Sequence, residues 1–212
     1  MPIEDRRERD RAARRRLIVG TARRLAESEG WDAVTTRRLS TEIEYSQPVL
    51  YKHFTGMEQI ADAVALDGFA ELAEAIRAAH SDTGAAGDTL TRIARAYLDF
   101  ARDNPAVYDA MFTRATGLRF AAEETPPQLI AAFAALDQAV GMVAGEQDTD
   151  TLTEVFWAAL HGLVTLGRTG RLRPAFDSER LELLVNAFSG RRKMGASRAA
   201  ISPGTIAVTV TL

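Results

Sequence analysis

Three groups of residues in this chain carry side chains able to do chemistry. Nine arginines crowd the stretch from Arg6 to Arg24. Guanidinium groups at that density can grip phosphates, by charge and by paired hydrogen bonds. Asp150, Glu154 and His161 stand at i, i+4 and i+11 and raise the question of a metal site. Tyr97, Tyr108, Trp157 and His161 each set a polar tip on an apolar body, the kind of side chain that lines a small-molecule pocket.

The second group does not hold up. Ligands projecting from one helix need spacings of i, i+3 or i, i+4 to converge, and His161 stands too far along. The chain has no cysteine, which excludes disulfides, thiolate metal sites and a cysteine nucleophile. It has no glycine-rich phosphate loop, nucleophile elbow or metalloprotease helix. The expectation is therefore no enzyme, no metal and no cofactor.

The 212 residues carry a net charge of −3, which by itself does not point to a nucleic-acid partner. The charge is unevenly spread. Residues 1–60 hold 12 of the 26 basic and 10 of the 29 acidic residues, whereas residues 61–212 are net acidic. The basic segment is open to two readings. It is a phosphate-gripping arm, or it is a solvated helix face, because Glu4, Asp5, Glu8 and Asp10 interleave with the arginines. Met1 to Arg16 lacks an apolar core, so it does not read as a signal peptide. No run of about 18 apolar residues spans a membrane. The cytoplasm is the expected compartment.

The elements that must position these groups read as helix almost throughout. A first helix spans about Arg9 to Glu29, with Leu17, Ile18, Thr21, Ala22 and Leu25 on its apolar stripe. Gly30 falls where a left-handed cap is expected. Thr35 and Thr36 offer cap hydroxyls to a short helix, about Arg37 to Ile43. After a break at Glu44-Tyr45, Ser46 caps a third helix, about Gln47 to His53, with Pro48 in its first turn. Longer helices follow at about Met57–Ala79 and Asp88–Arg102. A short one through Tyr108, Met111 and Phe112 begins at Asn104-Pro105. Three more cover about Leu129–Val143, with Ile130, Phe133, Leu136 and Val140 inward, then Thr149–Thr165 and Asp177–Phe188. Ser81–Gly87 and Ala121–Gln128 read as loops. The fold class is all-α, with about nine helices. Residues 1–56 form an amino-terminal domain and residues 57–190 a carboxyl-terminal one, connected by helix 57–79. Residues 191–212 read as a flexible tail.

Two short helices separated by a tight break make a helix-turn-helix. The stretch TTRRLSTEIEYSQPVLYKHF, from Thr35 to Phe54, resembles the DNA-binding segment of the tetracycline-repressor (TetR) family of bacterial regulators. The likeness runs back through Arg16-Leu17-Ile18 and Glu29-Gly30-Trp31, and forward to Met57-Glu58-Gln59-Ile60. It implies that the third helix enters the major groove of double-stranded DNA and that Gln47, Pro48 and Tyr51 meet it. Gln47 can pair bidentately with adenine, and Pro48 and Val49 offer apolar contact to a thymine methyl. Thr36, Tyr51, Lys52 and His53 resemble the family's phosphate-contacting positions. Ser46 and Arg37 stand beside them. For Tyr51 the other reading is a half-buried packing ring, and for His53 a solvated surface residue. Two positions depart from the family pattern. Glu44 stands where a glycine is usual, so it must take a positive φ or change the turn. Met57 stands where a phosphate-contacting lysine is frequent.

Further on, the stretches from Asn104 to Phe112 and from Phe156 to Leu163 resemble a subgroup with a Trp…His-Gly signature in its carboxyl-terminal domain. That resemblance implies a ligand-binding and dimerisation domain. Expected pocket residues are Tyr97, Tyr108, Met111, Phe112, Phe133, Trp157 and His161, each of which is also an ordinary core residue on the other reading. Expected homodimer contacts are Leu152, Phe156, Ala159 and Leu163 on the eighth helix and Leu181, Leu184, Val185 and Phe188 on the ninth. The alternative is packing within one subunit. The resemblance implies a ligand-responsive regulator, a repressor as is usual in the family, that binds a palindromic operator as a homodimer and is released by a small-molecule effector. The alternative function is a helical small-molecule-binding protein or enzyme without specific DNA binding.

Overall fold

The computed structural model describes residues 3–80, 86–114, 117–119, 122 and 124–189, and every regular element among them is helical. In chain order these are α1 (Ile3–Glu29), α2 (Thr36–Glu42), α3 (Gln47–Tyr51), α4 (Met57–His80), α5 (Ala86–Asp103), α6 (Pro105–Asp109), α7 (Pro127–Gly141), α8 (Thr149–Arg168) and α9 (Asp177–Phe188). A 3-10 turn at Trp31–Ala33 joins α1 to α2, and a wide π-helical turn at Ala110–Arg114 prolongs α6. The expected all-α class is the one found. No helix among the described residues is long and apolar enough to cross a membrane.

The 24-residue helix α4 is the central post. Its apolar residues cover a wide arc, including Ile60, Val64, Phe69, Leu72 and Ile76, all buried, while Glu58, Asp62, Glu71 and Glu74 take the remainder. Small residues on that arc let neighbours approach closely. Gly68 is the limiting case, because a Cβ there would collide with the Val107 side chain and lie 2.8 Å from Met111 Sδ. One end of α4 meets α1, and the rest is wrapped by α5, α6 with its π turn, and α7; α8 packs outside α5 and α7, and α9 against α5.

Several boundaries differ from the periodicity reading, each for a physical reason. α1 begins at Ile3 rather than Arg9. Glu4 and Asp5 occupy its first turn, where negative charge complements the free N–H groups. α5 begins at Ala86, inside the expected loop, with Asp88 in its first turn. α7 spans Pro127–Gly141 rather than Leu129–Val143, because Pro127 already suits a first helical position. α8 continues past Thr165 to Arg168 and is closed by Gly170 at φ 66, with Arg171 N–H donating to Leu166 O at 2.9 Å. Gly30 has φ 82 and ψ 163, so it is not the expected left-handed cap. It sits in a region that only glycine enters easily. Leu17 is 46% exposed and Ile130 56% exposed, so these two drop out of the expected stripes of α1 and α7. The rest of the stripes turns inward as expected, with Ile18, Thr21, Ala22 and Leu25 buried on α1 and Leu136 and Val140 on α7, and Val19, Leu129 and Ala132 join them in the core. The expected tail, 191–212, lies outside the described residues, as do 81–85 and parts of the 121–128 loop.

Candidate nucleic-acid interface and effector cavity

The amino-terminal end is built to hold one short helix out in solvent. Thr35 caps α2, its side chain accepting from Arg38 N–H at 3.2 Å. Thr36, expected to share that role, is the first helical residue and half-exposed. The turn after α2 runs through Glu44 at φ 56, so the chain keeps the left-handed turn without its usual glycine. Two bonds close it: Tyr45 N–H to Ser40 O at 3.0 Å, and Glu44 N–H to Thr41 O at 3.4 Å. Ser46 has the extended backbone of a cap, but its side chain makes no capping bond.

On α3, Leu50 is buried, and Phe54 just beyond it is buried too. Ser46, Gln47, Pro48, Tyr51 and Lys52 face solvent together, with Val49 half-buried; Tyr51 is 55% exposed, which is more than a packing ring shows. Arg15 staples this helix to α1. Its guanidinium donates to His53 O at 3.0 Å and lies 4.1 Å from the centre of the Phe54 ring. His53 is half-buried, and its Nδ1 has no hydrogen-bond partner among the described residues. Burial lowers its pKa, and the charges of Arg11, Arg14, Arg15 and Lys52 push the same way. Arg38 is tied to Glu29 at 3.0 Å and Glu42 at 3.1 Å, whereas Arg37 is exposed. Met57, in place of the frequent lysine, packs against the core.

A clasp that sequence reasoning missed joins this end to the rest of the molecule. The Glu27 carboxylate accepts from Ala106 N–H and Val107 N–H at 3.0 Å each, capping the start of α6. Trp31 Nε1–H donates to Ala106 O at 2.9 Å, Arg168 to Pro105 O at 2.8 Å, and Arg23 to Asn104 Oδ1 at 2.9 Å. Arg23 is also paired with Glu71. The partners stand 48 to 81 positions apart along the chain and no local spacing signals them.

α6 carries Tyr108 into the interior. There the expected pocket residues meet in a chain of hydrogen bonds. Trp157 Nε1–H donates to the Tyr97 hydroxyl at 3.1 Å; the Tyr97 and Tyr108 hydroxyls are 2.9 Å apart; Tyr108 lies 2.7 Å from His161 Nδ1. His161 Nε2 lies 3.4 Å from Thr165 Oγ1. All donors are used once if Nδ1 accepts and Nε2 carries the proton. Burial lowers the His161 pKa and favours the neutral ring, and it pushes Tyr97 up to about 12 and raises Tyr108 as well. The Phe112 ring lies 4.6 Å from Tyr108, 4.9 Å from His161 and 6.0 Å from Trp157, centre to centre.

Tyr97, Phe112, Phe133 and Trp157 line a small cavity of about 20 Å³, room for about one water. Tyr108, Met111 and His161 do not line it; Tyr108 and Met111 are buried, Met111 against Gly68, and His161 is half-buried behind Tyr108. Outside lies an open groove of about 500 Å³ between α7 and α8, which also holds Asp137, Asp150 and Glu154. Leu129, Phe133 and Trp157 belong to both, so these three side chains are the partition.

The expected dimer residues divide. Phe156, Leu181 and Val185 are buried inside the single chain, where Phe156 packs edge-on against Phe188 with ring centres 5.0 Å apart. They are corrected to core residues. Leu152, Ala159, Leu163, Leu184 and Phe188 are half-exposed. Val155 (54%), Leu166 (39%) and Leu183 (70%) are the large apolar side chains that α8 and α9 leave in solvent.

Comparisons with known proteins follow this division. Residues 18–64 match the family model described as bacterial regulatory proteins, tetR family, and residues 90–188 match the tetracyclin repressor-like C-terminal domain. The chain is 34% identical over 96 residues to the HTH-type transcriptional regulator YobS of Bacillus subtilis, covering 45% of this chain but only 49% of that relative. It is 29% identical over 161 residues to the HTH-type transcriptional regulator Rv0681 of Mycobacterium tuberculosis, covering 74% of this chain and 71% of that one. A solved structure from Rhodococcus sp. RHA1, a protein of unknown function, superposes with a TM-score of 0.67 at 26% identity, over 84% of this chain and 94% of its own. With both ends matched and the helical frame shared, the chain belongs to the tetracycline-repressor family of bacterial regulatory proteins.

Proposed function

We propose that this protein is a homodimeric transcriptional regulator of the bacterial cytoplasm, a repressor, that reads a palindromic operator with α3 and is released by a small molecule bound in its carboxyl-terminal domain. Residues 1–56 form the DNA-reading head and 57–190 the sensing and pairing domain. The protein is not an enzyme. The observation that carries the reading is the display of α3. Gln47, Pro48 and Tyr51 stand in solvent on a helix that Leu50, Phe54 and the Arg15 staple hold rigid. A short helix exposed in this way has the size and orientation to enter a major groove. Thr36, Arg37, Lys52 and His53 surround it as phosphate contacts.

The effector enters from the α7–α8 groove by displacing Phe133 and Trp157. A cavity of about 20 Å³ must expand more than about tenfold to hold a drug-sized ligand. Pairing of two copies covers Val155, Leu166 and Leu183, with Leu152, Leu163 and Leu184 around them. The test is a binding titration on duplexes selected by the protein from a random-sequence pool. Gln47→Ala combined with Tyr51→Ala is expected to abolish sequence preference while leaving the thermal unfolding curve in place. Unchanged discrimination by that variant rejects α3 as the reading helix.

A further inference from the structure

Helix α1 runs unbroken from Ile3 to Glu29, and one of its faces changes character along its length. Arg7, Arg11, Arg14, Ile18, Ala22 and Leu25 follow at i, i+4, i+7, i+11, i+15 and i+18, so they share that face. Ile18, Ala22 and Leu25 are buried in the core. Arg7, Arg11 and Arg14 lie in solvent on the part of the helix that extends past it. A face that is apolar where it meets protein and cationic where it meets nothing still lacks a partner there, and that partner is a polyanion.

Position adds to the pattern. The staple from Arg15 to His53 O and the Phe54 ring sets this face beside the end of α3. Arg11, Arg14 and Lys52 are close enough to act together on the His53 ring. Arg23, Arg24 and Arg38 are held in ion pairs, while Arg7, Arg11 and Arg14 form none among the described residues. Glu4 shares the face at its far end, Glu8 and Asp10 border it on either side, and Asp5 falls off it. The opposite side of the extension carries Arg6, Arg9 and Ala13, with no apolar stripe to enter a lipid surface.

We infer that the extension of α1 is a clamp for DNA phosphates flanking the half-site that α3 reads. Residues 3–13 project roughly 16 Å at ~1.5 Å per residue, which corresponds to about five base pairs of duplex at ~3.4 Å each. The inference rests on the reading of α3 as the DNA-contacting helix. It adds a contact that senses length and charge of the flanking duplex, not its sequence.

The test uses the full chain and a duplex selected by it from a random pool, made as the bare palindrome and again with about eight added base pairs at each end. Binding is followed by fluorescence anisotropy from about 50 to 200 mM salt. Arg7→Gln, Arg11→Gln and Arg14→Gln are combined; Arg15 is left intact because it holds α3. On the flanked duplex the triple variant is expected to lose about 0.9 of the log–log salt slope per lost phosphate contact, near 2.7 for three, so that its affinity falls roughly 40-fold less across that range. On the bare palindrome it matches the wild type. Lysine at the same three positions restores the slope. An unchanged slope on flanked DNA, or an equal loss on both duplexes, overturns the clamp while Gln47→Ala still reports on α3. Failure of the wild type to prefer any duplex overturns both readings.

Discussion

Glu44 shows how a single residue can keep a turn without the amino acid that suits it. Its φ of 56 is the left-handed conformation, and the two bonds through Tyr45 and Glu44 N–H hold it there. An L-residue with a Cβ gives up about 1–2 kcal/mol in that region. Glu44→Gly is therefore expected to stabilise the protein by about 1 kcal/mol, net of the greater freedom glycine gains on unfolding. It also removes a carboxylate one turn from the start of α3, so affinity for DNA should rise. Parallel melting and anisotropy titrations check both effects, and a lowered melting temperature would contradict the first. The anomaly was legible in the sequence, through the resemblance, but its outcome was not: a positive φ and a changed turn both stood open, and Glu44 takes the positive φ. Leu17 and Ile130 were not legible. Each belongs to a plausible apolar stripe, and only the direction from which neighbouring helices approach decides which of its members are covered.

At the scale of elements, the helices themselves were readable, since period, caps and prolines mark them. Their joints were not. α6 is five residues long, too short to persist alone, and three parts of the chain grasp its first turn: Glu27 at the end of α1, Trp31 beyond it, and Arg168 at the end of α8. Glu27 meets the two N–H groups with a carboxylate, where negative charge belongs. Glu27→Ala leaves both N–H groups unpaired in a half-buried joint and should destabilise by about 2 kcal/mol, read as a lower midpoint in denaturant unfolding. Glu27→Gln, which can accept only one of the two bonds well, should fall between. A midpoint unchanged in both variants would show that α6 is held by Trp31 and Arg168 alone. Nothing in the local sequence announces this joint, because capping groups supplied from about 80 residues away leave no spacing signature.

At the scale of the molecule, Tyr97, Phe112, Phe133 and Trp157 were foreseeable as neighbours, but Phe69 beside them and the small volume they leave were not, since cavity volume depends on how rings tilt. The surface is plainer. Val155, Leu166 and Leu183 remain exposed on α8 and α9, and Val155 and Leu166, at i and i+11, share one face of α8. Val155→Glu with Leu166→Glu should convert a dimer to a monomer in sedimentation velocity, with helix content by circular dichroism unchanged. A dimer that survives both charges would place the pairing face elsewhere. The distribution of indole rings has a use of its own. The chain has two tryptophans and no cysteine. Trp31 is bonded into the α1–α6 clasp, and Trp157 is bonded to Tyr97 at the cavity wall. The protein thus carries one intrinsic fluorophore at each end of the path between cavity and head. Trp31→Phe and Trp157→Phe each leave a single emitter, and a thiol dye can be placed anywhere without a competing site. Occupancy of the cavity and movement at the clasp become separable optical signals, one from each single-tryptophan variant.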